Sequence, residues 1–429
     1  MQKFIGGIGC FWDETKYEGI PGVISTECGY CGGKSPTVSY EQVCGGNTEH
    51  IEVVKVEFDP KILSYEEVAR LFFKFHDPTT PNRQGPNVGY QYRSEIFYNT
   101  DKEKKIAEKV LNEINEKLDG KVVTKISKEK NYCKAEEYHQ KYFQKKKSLM
   151  TLVSTNWLNE NLSKVKIIDC SWHMPTENRN PEEEFKKEHI PSAIFFDLDK
   201  NSKKDTDLPH MLPKQEVWGE SMSSLGINNN DDILIYDNSD LKSSCRLWFS
   251  LLYFGHDEKK IHILNGGLKA WTAAGYKLAK GETQITPSQF KVKLNDKYVA
   301  SYKDVRNAKR KKNGYALIDA RPKAFFIGEK KHPKIQRAGT IPTAVNLEEA
   351  TIVDGNLKVK SADQIKALFE KSNAKGKKGY VSFCNTGWFA STVWFALSEV
   401  AGIENVKLYD GSLAHWTLNP KNEVINGQI

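Results

Sequence analysis

Residues 152–420 contain an internal duplication, and this repeat restricts the possible folds more than any other feature of the sequence. Three motifs recur, with the second copy about 150 residues after the first. The matching pairs are residues 168–170 with 318–320, 189–193 with 340–344, and 265–271 with 410–416. A period of this length is too long for a solenoid repeat and corresponds instead to a whole domain.

Short apolar segments alternate with helical patterns throughout the duplicated part. The predicted strands are residues 165–170, 233–237, 261–264, 316–320, 379–383 and 406–409. This alternation is typical of βαβ units that build a parallel sheet. We therefore predict two α/β modules, at residues 150–285 and 298–429, joined by a linker near residues 280–297.

The first 149 residues follow a different pattern. Residues 3–8, 51–58 and 121–127 are predicted strands. Capping boxes that begin at Ser64 and Thr100 predict two helices. Strands and helices mixed in this way predict an α+β two-layer sandwich. A short basic joint at residues 143–152 separates this domain from the duplicated part.

Composition and charge limit the cellular location and the binding partners that we expect. No apolar run approaches the roughly 18 residues that span a bilayer, so we expect no membrane association. The net charge is +8, with lysine runs at 145–147, 309–312 and 377–378. A nucleic-acid patch is one interpretation, but no aromatic residues interleave the runs, which favours solvated surfaces and no nucleic-acid partner. Because the N-terminus leads directly into a candidate catalytic motif, which a cleaved signal would remove, we expect a cytoplasmic protein.

The first candidate site surrounds Cys10. Eight cysteines in a long chain without a signal segment favour catalytic, redox-active or buried thiols over disulfides. Cys10 follows a predicted strand and opens a predicted helix, where the positive end of the dipole lowers the pKa of a thiol. Phe11 and Trp12 beside it can pack a methyl group. On this segment alone, a buried apolar cysteine is the commoner interpretation.

Motifs further along the chain distinguish the Cys10 segment from an ordinary buried cysteine. In order, they are GCFW at 9–12, GYCGG at 29–33, YEQVC at 40–44, HIE at 50–52, HDPT at 76–79, GYQYRS at 89–94 and AEEYHQ at 135–140. This ordered set closely resembles the peptide methionine sulfoxide reductase A family over residues 1–143. The resemblance implies reduction of methionine-S-sulfoxide, free or in oxidised proteins, without a metal or bound cofactor and with thioredoxin or another thiol reductant as electron donor.

The resemblance also implies a role for each residue of the site. Cys10 attacks the sulfoxide sulfur and becomes a sulfenic acid, while Phe11 and Trp12 hold the S-methyl group. Glu52 is the acid that protonates the sulfoxide oxygen. Tyr40 and Tyr92 donate hydrogen bonds to that oxygen. An apolar pocket raises the pKa of a carboxyl group, which suits an acid of this kind.

Two features depart from the family pattern. Asn87 stands where an acidic residue is usual, so it adds no negative charge that would raise the pKa of Glu52. The usual C-terminal tail with resolving cysteines is replaced by the basic joint, so a resolving thiol is internal or the reductant attacks the sulfenic acid directly. The internal candidates are Cys133, which we rank first, and Cys28, Cys31 and Cys44. A zinc site from the last three is disfavoured because no second ligand pair is present.

The second candidate site surrounds Cys384, which follows a predicted strand and precedes a helical pattern. A cysteine in such a loop is surrounded by backbone N–H groups that stabilise a thiolate or persulfide anion. The loop is formed by Asn385, Thr386, Gly387, Trp388, Phe389 and Ala390. A phosphatase loop needs an arginine six residues after the cysteine, and Ala390 stands there instead.

Residues 152–420 resemble the tandem rhodanese family, which includes thiosulfate and 3-mercaptopyruvate sulfurtransferases. The motifs that carry the resemblance are Asp-Ala-Arg at 319–321, RAGTIP at 337–342 and Tyr-Asp-Gly-Ser at 409–412. The resemblance implies that Cys384 forms a persulfide and passes the sulfur to a thiol or cyanide. Asp237 aligns with Cys384, so the first module is expected to be catalytically silent. Arg246 matches an arginine that binds a small anionic donor, although a surface ion pair is the alternative.

The loop composition bears on the sulfur donor. Basic loops favour the doubly negative thiosulfate, whereas this loop is uncharged and carries Trp388 and Phe389, which favours 3-mercaptopyruvate or another donor. We therefore predict a bifunctional enzyme. Two alternatives stay open: a sulfurtransferase whose front domain is a degenerate redox sensor or docking module, and a persulfide carrier that serves a partner protein.

Overall fold

The computed structural model describes residues 1–142, 150–376 and 378–428. The chain divides into two units, Met1–Lys145 and Lys146–Ile429. Most of the predicted basic joint, together with the lysine run at 145–147, lies outside the described residues. Within the described residues, no helix combines the length and apolar character needed to cross a membrane.

Unit 1 is built on a mixed sheet with two long helices. Its strands are β1 Gln2–Ile8, β2 Val23–Cys31, β3 Ile51–Phe58, β4 Arg83–Gln84, β5 Asn87–Val88, β6 Ser94–Tyr98, β7 Lys125–Lys128 and β8 Cys133–Lys134. Its α-helices are α1 Tyr40–Cys44, α2 Tyr65–Phe75 and α3 Asp101–Lys117, and its 3₁₀ helices are Phe11–Tyr17 and Tyr90–Tyr92.

Six strands form the main sheet in the order β7-β6-β1-β3-β2-β8, and every pair is antiparallel except β6–β7. The capping boxes predicted at Ser64 and Thr100 are both present and begin α2 and α3. The strand predicted at residues 121–127 begins later than expected, since β7 starts at Lys125. The Val123 N–H donates to the Pro78 carbonyl instead of to a neighbouring strand.

Unit 2 contains the duplicated modules. Its strands are β9 Leu152–Val153, β10 Lys166–Asp169, β11 Ala193–Phe195, β12 Ile233–Tyr236, β13 Ile261–Leu264, β14 Tyr315–Asp319, β15 Val345–Asn346, β16 Gly379–Phe383 and β17 Val406–Leu408. Its helices are α4 Thr155–Asn161, α5 Pro181–Lys187, α6 Gln215–Ser224, α7 Lys242–Tyr253, α8 Gly267–Ala273, α9 Tyr302–Lys309, α10 Lys323–Phe326, α11 Ala362–Lys371, α12 Trp388–Phe395 and α13 Ser412–Leu418. A π-helical turn, Ala396–Val400, extends α12.

Each module of unit 2 has one parallel sheet, in the orders β11-β10-β12-β13-β9 and β15-β14-β16-β17. The predicted βαβ alternation is therefore confirmed. The modules share one apolar core in which α7 packs against α12, and the rings of Trp248 and Trp394 lie 5.9 Å apart. Since α7 and α12 each follow the central strand of a sheet, this packing brings the start of α7 next to the Cys384 loop.

Candidate active sites

Cys10 lies at the end of β1, immediately before the 3₁₀ helix Phe11–Tyr17. Gly9 has φ +92°, and the Gln84 side chain fills the space that a Cβ would occupy, so a larger residue does not fit before Cys10. The predicted lowering of the thiol pKa by a helix dipole is wrong. Burial raises the pKa of Cys10 to about 12, and the single backbone N–H of Trp12 opposes this only in part.

Glu52 is the second residue of β3 and lies beside Cys10. Its Oε2 accepts a hydrogen bond from the Phe11 N–H at 3.2 Å, and the residue is 1% exposed. Burial raises the pKa of Glu52 to about 8, so the carboxyl group is largely protonated at neutral pH. Asn87 is half-buried on β5 and pairs with Gln84. The raised pKa of Glu52 therefore arises without an acidic residue at position 87.

An aromatic cluster surrounds the two reactive groups, with His139 at its centre. The His139 ring lies 4.8 Å from that of Phe11 and 4.5 Å from that of Tyr40. The Trp12 indole N–H donates to His139 Nδ1 at 3.1 Å, and the Tyr142 ring stacks on Trp12 at 3.8 Å. His139 belongs to the AEEYHQ motif, but neither its central position nor the stacking of Tyr142 on Trp12 was predicted from the sequence.

The two tyrosines expected to contact the sulfoxide oxygen do reach this cluster. Burial raises the pKa of the Tyr40 hydroxyl, which also hydrogen-bonds to the Cys44 thiol. Burial, followed by the negative charge of Glu52, raises the pKa of Tyr92. The Tyr40 N–H donates to Glu136 at 2.8 Å and this bond anchors α1 against the end of the domain. The predicted reductase residues thus converge from β1, β3, α1 and a 3₁₀ helix.

The four candidate resolving cysteines have different environments. Cys28 and Cys31 are both buried on β2, and their odd spacing directs them to opposite faces of the sheet. Their thiols donate to the carbonyls of Phe11 at 3.1 Å and Lys130 at 3.4 Å. They therefore cannot share a zinc ion or a disulfide with each other. Cys133 is half-buried opposite Tyr30, whereas Cys44 is exposed at the end of α1.

Cys384 follows β16 and lies at the start of α12, as predicted. Its Sγ accepts a hydrogen bond from the Gly387 N–H at 3.2 Å, and the N–H groups of Thr386 and Ala390 also act on it. The Cys384 N–H donates to Ser412 Oγ at 3.0 Å. The cradle of N–H groups is thus present. Burial nevertheless raises the pKa of Cys384, because it outweighs the three N–H groups that lower it.

Asp237 occupies the corresponding position in the first module. Its Oδ1 accepts the N–H groups of Ser239 and Leu241, each at 3.0 Å, and its Oδ2 accepts that of Ser244 at 2.7 Å. The first module therefore holds a fixed carboxylate where the second module holds a thiol. Both modules therefore have a loop whose backbone N–H groups converge on one side chain. In the first module that side chain is Asp237, and in the second it is Cys384.

Arg246 of α7 is buried, so the alternative that it lies on the surface is wrong. Its Nη2 lies 2.7 Å from Asp410 Oδ1 and donates to the His210 carbonyl at 2.7 Å. Asp410 Oδ2 accepts the Leu212 N–H at 2.8 Å. Asp410 belongs to the motif at residues 409–412, but its ion pair with Arg246 of the other module was not predicted from the sequence.

A second aromatic cluster borders the Cys384 loop and was also missed. The rings of Trp172 and His210 each lie 4.7 Å from that of Trp388. His210 Nδ1 lies 3.1 Å from Asp199, which also accepts the Trp172 indole N–H at 2.8 Å. Trp172 and His210 come from irregular segments, where hydrophobic periodicity gives no signal.

The other loop residues have mainly structural contacts. Asn385 Oδ1 accepts a hydrogen bond from Arg321 at 3.4 Å, and Arg321 forms a buried ion pair with Asp319 at 2.6 Å. The Phe389 ring lies 5.4 Å from the Lys242 ammonium group. Gly387 has φ +89°, and a Cβ there would meet the Asp410 carbonyl at 2.6 Å, so the loop requires glycine at this position.

Together the fold and the sites define an enzyme with two cysteine centres, one in an α+β unit and one in a tandem α/β unit. The chain belongs to the peptide methionine sulfoxide reductase family, whose model matches residues 2–169, and carries two rhodanese-like domains, matched at residues 154–274 and 301–419.

Three relatives represent the two halves. The chain is 58% identical over 147 residues to the peptide methionine sulfoxide reductase of Pelagibacter ubique strain HTCC1062, covering 34% of this chain and all of that protein. It is 34% identical over 294 residues to the mitochondrial thiosulfate/3-mercaptopyruvate sulfurtransferase 1 of Arabidopsis thaliana, covering 63% and 76% of the two chains. The crystal structure of the Escherichia coli 3-mercaptopyruvate sulfurtransferase SseA matches with a TM-score of 0.56 and 33% identity, covering 61% of this chain and 98% of that one.

Proposed function

We propose that the protein is bifunctional. Its first unit reduces methionine-S-sulfoxide, free or in proteins, and its second unit transfers sulfur through a Cys384 persulfide. The observation that carries the proposal is that each thiol has the partner its reaction needs. Cys10 lies beside a carboxyl group whose pKa is raised to about 8, and the Cys384 Sγ accepts an N–H hydrogen bond at 3.2 Å. The first activity is suited to repair of oxidised proteins.

In the reductase step, Cys10 attacks the sulfoxide sulfur while Glu52 gives its proton to the oxygen. Tyr40 and Tyr92 hold that oxygen by hydrogen bonds, and Phe11 and Trp12 pack the methyl group. The net change converts thiol and sulfoxide into sulfenic acid and thioether, so the cysteine sulfur is oxidised as the substrate sulfur is reduced. No metal or bound cofactor takes part in this scheme.

Recycling then needs a second thiol. Residues 143–149 contain no cysteine. Cys44 is exposed and hydrogen-bonded to Tyr40, so it is better placed than the half-buried Cys133 to condense with the Cys10 sulfenic acid, releasing water and forming a disulfide. A thioredoxin-like dithiol then reduces that disulfide. This ranking differs from our sequence-based preference for Cys133, which stays the alternative resolving thiol.

In the sulfur-transfer step, the Cys384 thiolate attacks the sulfur of the donor. With 3-mercaptopyruvate, the carbon–sulfur bond breaks, a sulfur–sulfur bond forms and the donor's thiol proton moves to carbon, giving pyruvate and the persulfide. With thiosulfate, the leaving group is sulfite. A thiol or cyanide then accepts the outer sulfur. His210, oriented by Asp199 at 3.1 Å, is the group we assign to moving the proton.

We also infer a cytoplasmic location. All eight cysteines are free thiols, which suits a reducing compartment. The alternative of a degenerate redox sensor is disfavoured because burial alone gives Glu52 the raised pKa of a general acid.

Two paired assays test the proposal. The first is methionine formation from methionine-S-sulfoxide with excess dithiothreitol, and the second is thiocyanate formation from 3-mercaptopyruvate or thiosulfate with cyanide. We expect Cys10→Ser to abolish only the first and Cys384→Ser only the second, so each variant is the folding control for the other. Absence of methionine formation in the wild type would leave a sensor in the first unit. Absence of thiocyanate in the wild type, with sulfur still delivered to a protein thiol, would favour a persulfide carrier.

A further inference from the structure

The outer edge of each parallel sheet in unit 2 borders a groove. The edge strand is β11 in the first module and β15 in the second, and the C-terminal end of a helix, α6 or α11, lies across the groove from it. Both helices have 10 residues, and each is followed closely by a residue in the left-handed conformation. These residues are Gly226 with φ +70° and Asn373 with φ +58°. The internal repeat therefore relates the two grooves.

In the first module the linker between the modules lies in this groove. The Thr283 hydroxyl donates to the Ala193 carbonyl of β11 at 2.5 Å, and the Ser288 N–H donates to the Ser223 carbonyl of α6 at 2.9 Å. Residues 283–288 contain no helix or strand. An irregular segment of the chain thus fills the groove and joins the edge strand to the end of the helix.

The second module has no such segment among the residues that the structure describes. Ala193 is 0% exposed and Ile194 is 7% exposed under the linker, whereas their counterparts in the repeat, Ala344 and Val345, are only half-buried. An open space of about 550 Å³ lies between residues 344–348 and the end of α11, and we call it the β15 groove. Because the linker fills the equivalent space in the first module, the β15 groove has the shape to receive a segment of the same kind.

The β15 groove also carries an excess of positive charge. The charged residues that line it are Lys323, Glu348 and Lys371, and none of the three forms an ion pair with another described residue. Both lysines are exposed. The groove of the first module is lined by two lysines and two aspartates, so its charge is balanced. An occupant of the β15 groove therefore gains from an acidic side chain that reaches Lys371.

We propose that the β15 groove binds an irregular segment of a partner protein, and that this segment carries an acidic side chain close to the end of α11. A second copy of this chain is a poor occupant, because its residues 283–288 already fill the groove of its own first module. The interaction surface is separate from both cysteine centres, so the proposal does not depend on either enzymatic activity.

The test uses the full-length protein and two fluorescently labelled peptides. The first peptide has the sequence of residues 281–290, and the second differs by Ser288→Asp. Ser288 contacts the last turn of α6, and Lys371 is in the last turn of α11, so the new carboxylate meets the lysine. We expect each protein molecule to bind one peptide, with the Asp peptide binding about two- to fivefold more tightly, as for one exposed ion pair. In Lys371→Glu this preference reverses, because the carboxylate meets a like charge.

Lys187→Glu is the matched control. Lys187 is also an exposed lysine in the last turn of a helix, α5 of the first module, so the control keeps the wild-type preference for the Asp peptide. Circular dichroism shows that both variants are folded. The proposal is overturned if neither peptide binds wild type saturably, or if Lys371→Glu still prefers the Asp peptide. Sedimentation of the protein without peptide tests the remaining occupant. A dimer that Lys371→Glu dissociates would assign the β15 groove to a second copy, against the proposal.

Discussion

The pH dependence of the reductase reaction follows from the two pKa values at its centre. In the proposed mechanism, the reactive form needs the Cys10 thiolate together with the protonated Glu52 carboxyl. Because the pKa of Cys10 is about 12 and that of Glu52 about 8, the resting pair is thiol and acid at neutral pH. The difference of about 4 pKa units means that moving the proton from the thiol to the carboxylate costs about 5 kcal/mol in the absence of substrate.

These two pKa values predict an unusual dependence of kcat/KM on pH. Below pH 8 Glu52 is protonated and the thiolate fraction rises tenfold per pH unit, so kcat/KM rises with a slope of one. Between pH 8 and 12 the thiolate fraction still rises, but the protonated fraction of Glu52 falls equally, so kcat/KM is flat. Glu52→Gln cannot ionise. We expect it to be slower by about 10²- to 10⁴-fold and to keep rising through pH 8 without a break.

The assay is methionine formation in a single turnover with enzyme in excess and no reductant, from pH 6 to 10, so that reductant ionisation does not enter. Cys10→Ser gives the background. A wild-type rate that falls above pH 8 would mean that Cys10 is already a thiolate, which would refute the argument that burial dominates its pKa. A break near pH 8 that persists in Glu52→Gln would assign the titration to another group.

Three further perturbations have defined outcomes. Asn87→Asp adds a carboxylate on β5, whose partner Gln84 packs against Gly9 beside Cys10, so we expect the break in the same profile to move above pH 8. Asp237→Ala leaves three backbone N–H groups unpaired and lowers the stability of unit 2 by about 3–5 kcal/mol, seen as a lower calorimetric transition, whereas Asp237→Asn loses less. After one turnover without reductant, we expect wild type to lose two titratable thiols, because Cys10 and Cys44 form a disulfide. We expect Cys44→Ser to lose only the Cys10 thiol. The Cys133→Ser control loses two, and equal losses in both variants would exclude Cys44 as the resolving thiol.

The parts of the fold that local patterns encode were predictable from the sequence. The capping boxes at Ser64 and Thr100 and the buried strands of both modules depend on residues close in the chain, and they occur where expected. The positions of Cys10 and Cys384 directly after a strand were also predicted, and both occur there. The ionisation of Cys10 was predicted with the wrong sign, because burial by distant segments outweighs a local 3₁₀ helix.

What escaped prediction depends on tertiary contacts between distant residues. Arg246 and Asp410 belong to different modules, so neither sequence position reveals that they form a buried pair. His210 and Trp172 lie in irregular segments whose composition resembles that of any surface loop. Their meeting at Trp388 is a consequence of how α7 and α12 pack, which periodicity within each helix does not specify.

The number of N–H groups around each thiol agrees with the charge of the intermediate that the proposed mechanism assigns to it. Burial raises the pKa of both thiols, although Cys10 is only half-buried whereas Cys384 is 2% exposed. The Cys10 intermediate in the proposed mechanism is a neutral sulfenic acid, so one backbone N–H together with a proton donor suffices for the brief negative charge of the attacking thiolate. In the proposed transfer reaction, Cys384 instead carries a persulfide anion until an acceptor arrives, so this charge needs stabilisation for as long as the persulfide persists. Three N–H groups at Thr386, Gly387 and Ala390 act on the Cys384 sulfur, and in the first module three N–H groups of the equivalent loop donate to the Asp237 side chain.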